Sequence, residues 1–358
     1  MRSLRRTVLA GIALAVGATL TLAGCSSGGV LSSGSSSGSK KETTIGVSYP
    51  TSDSTFFTQY VKFVKQGASQ LGVKINAVAA NNSDQQQVSD VQNLISQGVG
   101  GLVITPNSTA VAPQLLKLAS DAHIKTVVVD RYPGYAPGKR ASGGYVGFIG
   151  PNDEKVGEDI ASDLNSLGAT KLLAVGGPQG TSVAQGRQQG LENEVKKDGA
   201  TLVQYQATDA TQTGGLNAFE NMLQAHPAGT VDGVWCYNDD VCMGAIKAAQ
   251  NAGRASQMKF VGMDLTPQGL QDVGNGSYAA SFGGHFLEAG FGLVMLYDDL
   301  HGKAPKHPTV KLDLLKIDKS NLASFQKQYI DNPPPYDFKQ LSQVYNPKAT
   351  GEYTINLK

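Results

Sequence analysis

Residues 101–130 read GLVITPNSTAVAPQLLKLASDAHIKTVVVD, and residues 233–264 read GVWCYNDDVCMGAIKAAQNAGRASQMKFVGMD. Each is a short apolar run, a polar turn, a stretch of helical length and a second apolar run ending in aspartate. The same strand-turn-helix-strand unit therefore occurs once in each half of the chain. The repeat sets Thr105-Pro106-Asn107 opposite Tyr237-Asn238-Asp239, and Asp130 opposite Asp264. Strands this apolar belong in parallel sheets covered on both faces, since a half-exposed strand would alternate polar and apolar residues. In open parallel sheets ligands sit outside the carboxyl ends of strands, which is where both aspartates fall.

The alternation extends outward in both directions. Thr44–Ser48, Val73–Ala79, Gly101–Thr105 and Lys125–Asp130 read as strands, separated by helices over 56–71, 83–97 and 109–122. After a Gly/Pro/Tyr-rich loop at 132–144 the pattern restarts at Tyr145–Ile149 and continues to Met258–Met263. Two such runs predict an α/β fold of two doubly wound parallel-sheet domains joined by a multi-strand hinge. The predicted lobes are 42–151 with 285–313, and 152–284 with 314–358, the chain crossing between them near 150–152, 282–285 and 310–314. Gly283-Gly284 suit a hinge, whose few residues absorb large dihedral changes. The tail after Ser320, with Pro333-Pro334-Pro335-Tyr336, is longer than two such lobes need.

Before this body comes a leader. Arg2, Arg5 and Arg6 precede an almost uncharged stretch over 7–23, shorter than the ~20 residues that span a bilayer. Leu22-Ala23-Gly24-Cys25 then resembles the lipobox of bacterial lipoproteins, which implies a signal peptide over 1–24 and lipid on Cys25. The Ser/Gly-rich stretch 26–41 has too little apolar surface to fold and acts as a tether reaching about 20–25 Å. Three of the 30 basic residues lie in the leader and none of the 29 acidic ones, so the rest has a formal charge of −2. Near-neutrality excludes a nucleic-acid surface. With Cys25 assigned to lipid, Cys236 and Cys242 remain; they are read as small apolar residues under a helix, although an exported protein can pair them.

Asp90-Val91-Gln92-Asn93-Leu94-Ile95-Ser96-Gln97-Gly98, Leu102-Val103-Ile104-Thr105-Pro106, Val129-Asp130-Arg131, Asn238-Asp239 with Gly244-Ala245, and Val261-Gly262-Met263-Asp264 are similar, in order and spacing, to the ribose/galactose-type periplasmic sugar-binding proteins. The resemblance runs from about residue 44 to 316. It implies two lobes closing on a sugar or polyol, and an ABC transporter permease as partner. It also implies no cofactor or metal, a monomer, and a lipid-anchored place outside the cytoplasmic membrane. The ligand-binding residues it implies are Ser54, Phe56, Phe57, Thr105, Asp130, Arg131, Gln185, Asn238, Asp264 and His285. Phe57 rather than Phe56 would stack on the sugar. Ser54 stands where relatives have an asparagine, Gln185 where they have a sugar-gripping arginine, and Ala210 where they have an aromatic. Arg187 is read as structural, Asp239 as a charge at a helix terminus and Trp235 as sheet core.

The chemistry fits a polyol, whose hydroxyls both donate and accept while its ring face is apolar. Asp130-Arg131 offers a carboxylate beside a five-donor guanidinium, and Asp264 a second carboxylate from the other half. Enzyme signatures are missing: Gly176-Gly177-Pro178-Gln179-Gly180-Thr181 lacks phosphate-loop spacing, and no GxSxG elbow between a strand and a helix and no HExxH occurs. The expected function is solute delivery; a ligand-sensing subunit for a membrane kinase or chemoreceptor is the alternative, and an exported oxidoreductase a remote third.

Overall fold

The computed structural model describes residues 43–138, 144–331 and 335–357; the leader, Cys25 and the tether lie outside the described residues. The strands are β1 (Thr44–Tyr49), β2 (Lys74–Ala79), β3 (Gly101–Ile104), β4 (Thr126–Val129), β5 (Tyr145–Pro151), β6 (Lys171–Gly176), β7 (Thr201–Ala207), β8 (Gly233–Cys236), β9 (Lys259–Asp264), β10 (Ala280–Gly283), β11 (Thr309–Leu312) and β12 (Leu315–Asp318). The principal helices are α1 (Thr55–Leu71), α2 (Asp84–Ser96), α3 (Ala112–Asp121), α4 (Asp153–Ser166), α5 (Ser182–Asp198), α6 (Gln212–Ala225), α7 (Asp239–Asn251), α8 (Pro267–Asn275) and α9 (Glu288–Leu300).

They form two six-stranded sheets in the orders β11-β5-β4-β3-β1-β2 and β12-β10-β9-β8-β6-β7. Only β12 runs antiparallel, against β10. Both contain the doubly wound order 2-1-3-4-5. The repeat read from the sequence is β3-α3-β4 in one sheet and β8-α7-β9 in the other, the third and fourth strands of each. The chain leaves the first sheet after Pro151, returns to it after Gly283 and leaves again between Leu312 and Leu315.

Strand alternation divides the cores. On β3, Val103 joins the cluster under α1 and α9, while Leu102 and Ile104 join the one under α2 and α3. On β8, Val234 and Cys236 face one side; Trp235 faces the other, fully buried, with its indole N–H donating to the Gly157 carbonyl at 3.2 Å. Trp235 is thus sheet core. Polar caps start the helices at the carboxyl ends of strands: Ser83, Thr181, Asn238 and Thr266 each accept a backbone N–H of the following turn.

Two sequence expectations change. Cys236 and Cys242 are disulfide-bonded, their Cα atoms 5.3 Å apart, because the turn at Asn238 folds the first turn of α7 back over the end of β8. The tail after Ser320, grouped by the sequence with the second lobe, contributes Phe325, Tyr329, Phe338 and Tyr353 to the first-sheet core. Its aromatic rings find partners there: Phe338 lies 4.9 Å from Phe63, and Tyr353 stacks 5.1 Å from Phe291.

The second sheet's helices pair through glycine. A Cβ on Gly190 of α5 would stand 1.9 Å from the Glu154 carbonyl oxygen of α4, and one on Gly157 would stand 2.1 Å from that of Arg187. Both neighbours are backbone and have nowhere to go. We therefore expect Gly190→Ala to lower folding stability by about 1–3 kcal/mol through overpacking. Urea denaturation should show a lower midpoint, and an unchanged midpoint would contradict the close crossing.

Candidate functional site

A cavity of about 660 Å³ opens at the carboxyl ends of both sheets. Its walls come from the turns after β1, β2, β3, β4, β6, β7, β8, β9 and β10, and from the start of α1. Ser54, Phe56, Phe57, Asp130, Arg131, Asn238, Asp264 and His285 line it. Thr105 and Gln185 do not. Thr105 ends its strand fully buried, its hydroxyl 2.9 Å from that of Tyr60 and its carbonyl accepting from Gln87, so Asn107 and Ser108 further along the turn reach the cavity instead. Gln185 is on the exposed side of α5, two residues away from the face that meets the cavity.

The two matched aspartates share an unusual backbone. Asp130 has φ 62° and Asp264 φ 130°, the left-handed region that non-glycine residues rarely occupy. Such strain costs about 1–3 kcal/mol per residue and persists where the surroundings hold it. Both side chains are nearly buried. The Asp130 carboxylate lies 3.7 Å from Arg131 Nε, and the Asp264 carboxylate 3.4 Å from His285 Nε2.

Arg187, read from the sequence as structural, lines the cavity. It is 3 % exposed, donates from Nε to Asp153 at 3.1 Å and from Nη1 to the Tyr237 carbonyl at 3.0 Å, and lies 4.7 Å over the Tyr237 ring. It is both structural and at the site. Tyr237 also lines the cavity and supplies a second-lobe ring beside Ala210. Its place immediately before Asn238, at the end of the repeated strand, was the available signal. Phe56 and Phe57 do not divide into one core and one site ring: both line the cavity and both join the core, edge to face at 5.1 Å. Phe56 lies 4.6 Å from the ring of His285.

Asn238 faces the cavity, yet both amide atoms are engaged, Oδ1 capping α7 at Val241 and Nδ2 donating to the Ala210 carbonyl. Asp239 is a buried structural carboxylate accepting from Thr266 N and Oγ1, Tyr278 and Ser281. The next residue, Asp240, lines the cavity and accepts from Ser54 Oγ at 3.3 Å across the cleft. Thr109 N donates to the Gly180 carbonyl at 3.3 Å, a second direct contact between the two halves.

Residues 45–304 match a family model described as a periplasmic binding protein domain. The chain is 30 % identical over 242 residues to the ribose import binding protein of Bacillus subtilis, covering 67 % of this chain and 75 % of that one. Among solved structures it superposes with a TM-score of 0.74 on the arabinose ABC transporter's periplasmic binding protein from Shewanella sp. ANA-3, at 22 % identity, covering 81 % of this chain and 96 % of that one. It superposes at 0.71 on the fructose-binding periplasmic domain of a hybrid two-component system, at 25 % identity, covering 81 % and 95 %. Among the described residues no helix is long and apolar enough to cross a membrane.

Burial governs the charge state of the site. It pushes the Asp153 carboxyl up to about 7, with Arg187 opposing. It also raises Asp239, Asp264 and Glu288, and the Glu288 oxygens have no hydrogen-bond partner. His285 moves the other way, held down to about 3 by burial and then by the charge of Arg187. Ordinary carboxyls titrate near ~4 in an unfolded chain. Between about pH 4 and 7 Asp153 and Asp239 thus hold protons that the unfolded chain releases, with Asp264 and Glu288 shifted in the same sense, against one imidazole of opposite sense. More protons on the folded state mean stability that falls as pH rises through that window. The ligand-free protein should melt at a higher temperature near about pH 5 than near about pH 7.5; calorimetric melts that rise with pH across this range would refute the assignment.

Proposed function

The chain belongs to the periplasmic binding protein family, in its ribose type, and on that premise we propose that it is an extracytoplasmic receptor that closes around a sugar or polyol and delivers it to an ABC importer. The observation that carries the reading is one cavity lined by equivalent aspartates, Asp130 and Asp264, from both sheets. Only a ligand held from both halves favours the shut state, because binding shifts an equilibrium by its differential affinity alone.

The roles follow from the groups present. Asp130 and Asp264 accept from ligand hydroxyls, Arg131 and Arg187 donate to them, and Phe56, Phe57 and Tyr237 cover the apolar ring faces. Charge-assisted hydrogen bonds contribute about 1.5–3 kcal/mol each when buried, so three or four with stacking support a micromolar ligand at about −8 kcal/mol. The lobes divide near 151, 284 and 313, and Gly284, at φ 105°, is a hinge position across which the tail's Ile355 lies. Cys25 anchors the receptor by lipid. The likeness to the fructose-binding periplasmic domain of a hybrid two-component system favours ligand sensing as a second reading.

Two measurements test this. In calorimetric titrations with the best binder from a thermal-shift panel of pentoses, hexoses and polyols, Asp130→Ala and Asp264→Ala should each weaken affinity at least about tenfold, or 1.4 kcal/mol. Unchanged affinity in both removes the assignment. Cys25→Ser should move the protein from the membrane to the soluble fraction; continued membrane retention of the unprocessed chain would contradict the anchor.

A further inference from the structure

Arg187 is held from several sides and left free at one atom. Nε donates to the Asp153 carboxylate at 3.1 Å, Nη1 donates to the Tyr237 carbonyl at 3.0 Å, and the guanidinium lies 4.7 Å over the Tyr237 ring. Nη2 has no hydrogen-bond partner among the described residues, while the residue lines the cavity. Two of these restraints come from Tyr237, itself part of the wall. The other comes from Asp153, which is not part of it.

Asp153 owes its place to the crossing between the lobes. It is the first residue of α4, two positions after the end of β5, and the intervening Asn152 N donates to the Leu312 carbonyl of β11 at 3.2 Å. Gly186 lets α5 come close: a Cβ there would stand 2.8 Å from the Asp153 Cβ. Arg187, the next residue, is the only cation within ion-pair distance of Asp153 among the described residues.

Resting on the receptor reading above, we infer that Asp153 is a positioning residue: its carboxylate fixes Arg187 so that Nη2 donates to a ligand hydroxyl in the cavity. A guanidinium presents its donors in one rigid plane, so fixing Nε and Nη1 also fixes where Nη2 points. Without the carboxylate a long side chain regains rotamers that binding must freeze again. The guanidinium stays charged in either case, so Asp153 supplies direction rather than the positive charge the ligand meets. Its hold is firmest when ionised, because a hydrogen bond between charged partners is the stronger one.

The groups acting on Asp153 are Arg187 on α5, Lys311 on β11, Asp130 after β4, Tyr237 after β8 and Glu288 on α9. Burial outweighs the cations and puts the carboxyl at about 7. The ionised form is gained as pH rises through that value, and ligand affinity should rise with it.

The test uses the full chain in calorimetric titrations with D-ribose, L-arabinose, D-fructose, D-allose and myo-inositol, continued with the tightest binder. Asp153→Asn, which keeps the shape and removes the charge, should weaken affinity about tenfold near pH 8, and the gap to the wild type should narrow toward about pH 6. In the Arg187→Lys background the same change should cost about twofold or less, because residues that act through one another lose their effects together. Wild-type affinity in Asp153→Asn near about pH 8, a loss of equal size at both pH values, or losses that add in the double variant would overturn the positioning role and leave the receptor reading standing. Should Asp153→Asn fail to fold, wild type and Arg187→Lys decide: a pH-dependent rise in the first that flattens in the second supports the role, and equal slopes overturn it. A wild type that binds none of these probes would overturn both readings.

Discussion

A carboxylate taken out of water must find donors, and this protein places two of them where it supplies few. Asp130 and Asp264 end equivalent strands of two similar sheets, both nearly buried and both on left-handed backbone. Strain and desolvation at a pair of related positions support the proposal that a ligand supplies their donors. The cavity, its aromatic walls and the direct contacts between the halves are arranged around that pair.

The scaffold keeps the turns that carry the site short and fixed. The capped helices α7 and α8 each begin after a two-residue turn from the strand before them, so the polar cap and the cavity residue are neighbours in sequence. The Cys236–Cys242 disulfide closes the turn that carries Tyr237, Asn238 and Asp240. Below it, Asp239 gathers donors from β10, from the start of α8 and from Tyr278, joining elements far apart in the chain. The glycine crossings of α4 on α5 and of α6 on α7 set helix spacing by backbone contact, so these turns stand on a stiff layer.

Arg187 shows why one residue can escape classification from a motif. Its guanidinium holds Asp153 and the Tyr237 carbonyl, which is structural work, and the same group forms part of the cavity wall. Gln185, which the resemblance implied as a ligand residue, is two helical steps from Arg187 and exposed. Thr105 fails for a different reason. A strand residue one position short of the mouth is occupied by ladder and core, and only the turn beyond it faces outward.

Local sequence determined the sheet class and the strand-turn-helix-strand order of the repeat, because periodicity and turn chemistry are written along the chain, and of the ten site residues that its family resemblance implied, eight line the cavity. It also carried the resemblance to a family. Tertiary structure alone decided the rest: that Tyr237 and Arg187 share the wall, that both phenylalanines serve core and cavity, that the cysteines meet, and that the tail lies on the first lobe. Those outcomes depend on which side chains distant segments bring within a few ångströms, and on how much water is left around them. Neither quantity is a property of any one stretch of sequence.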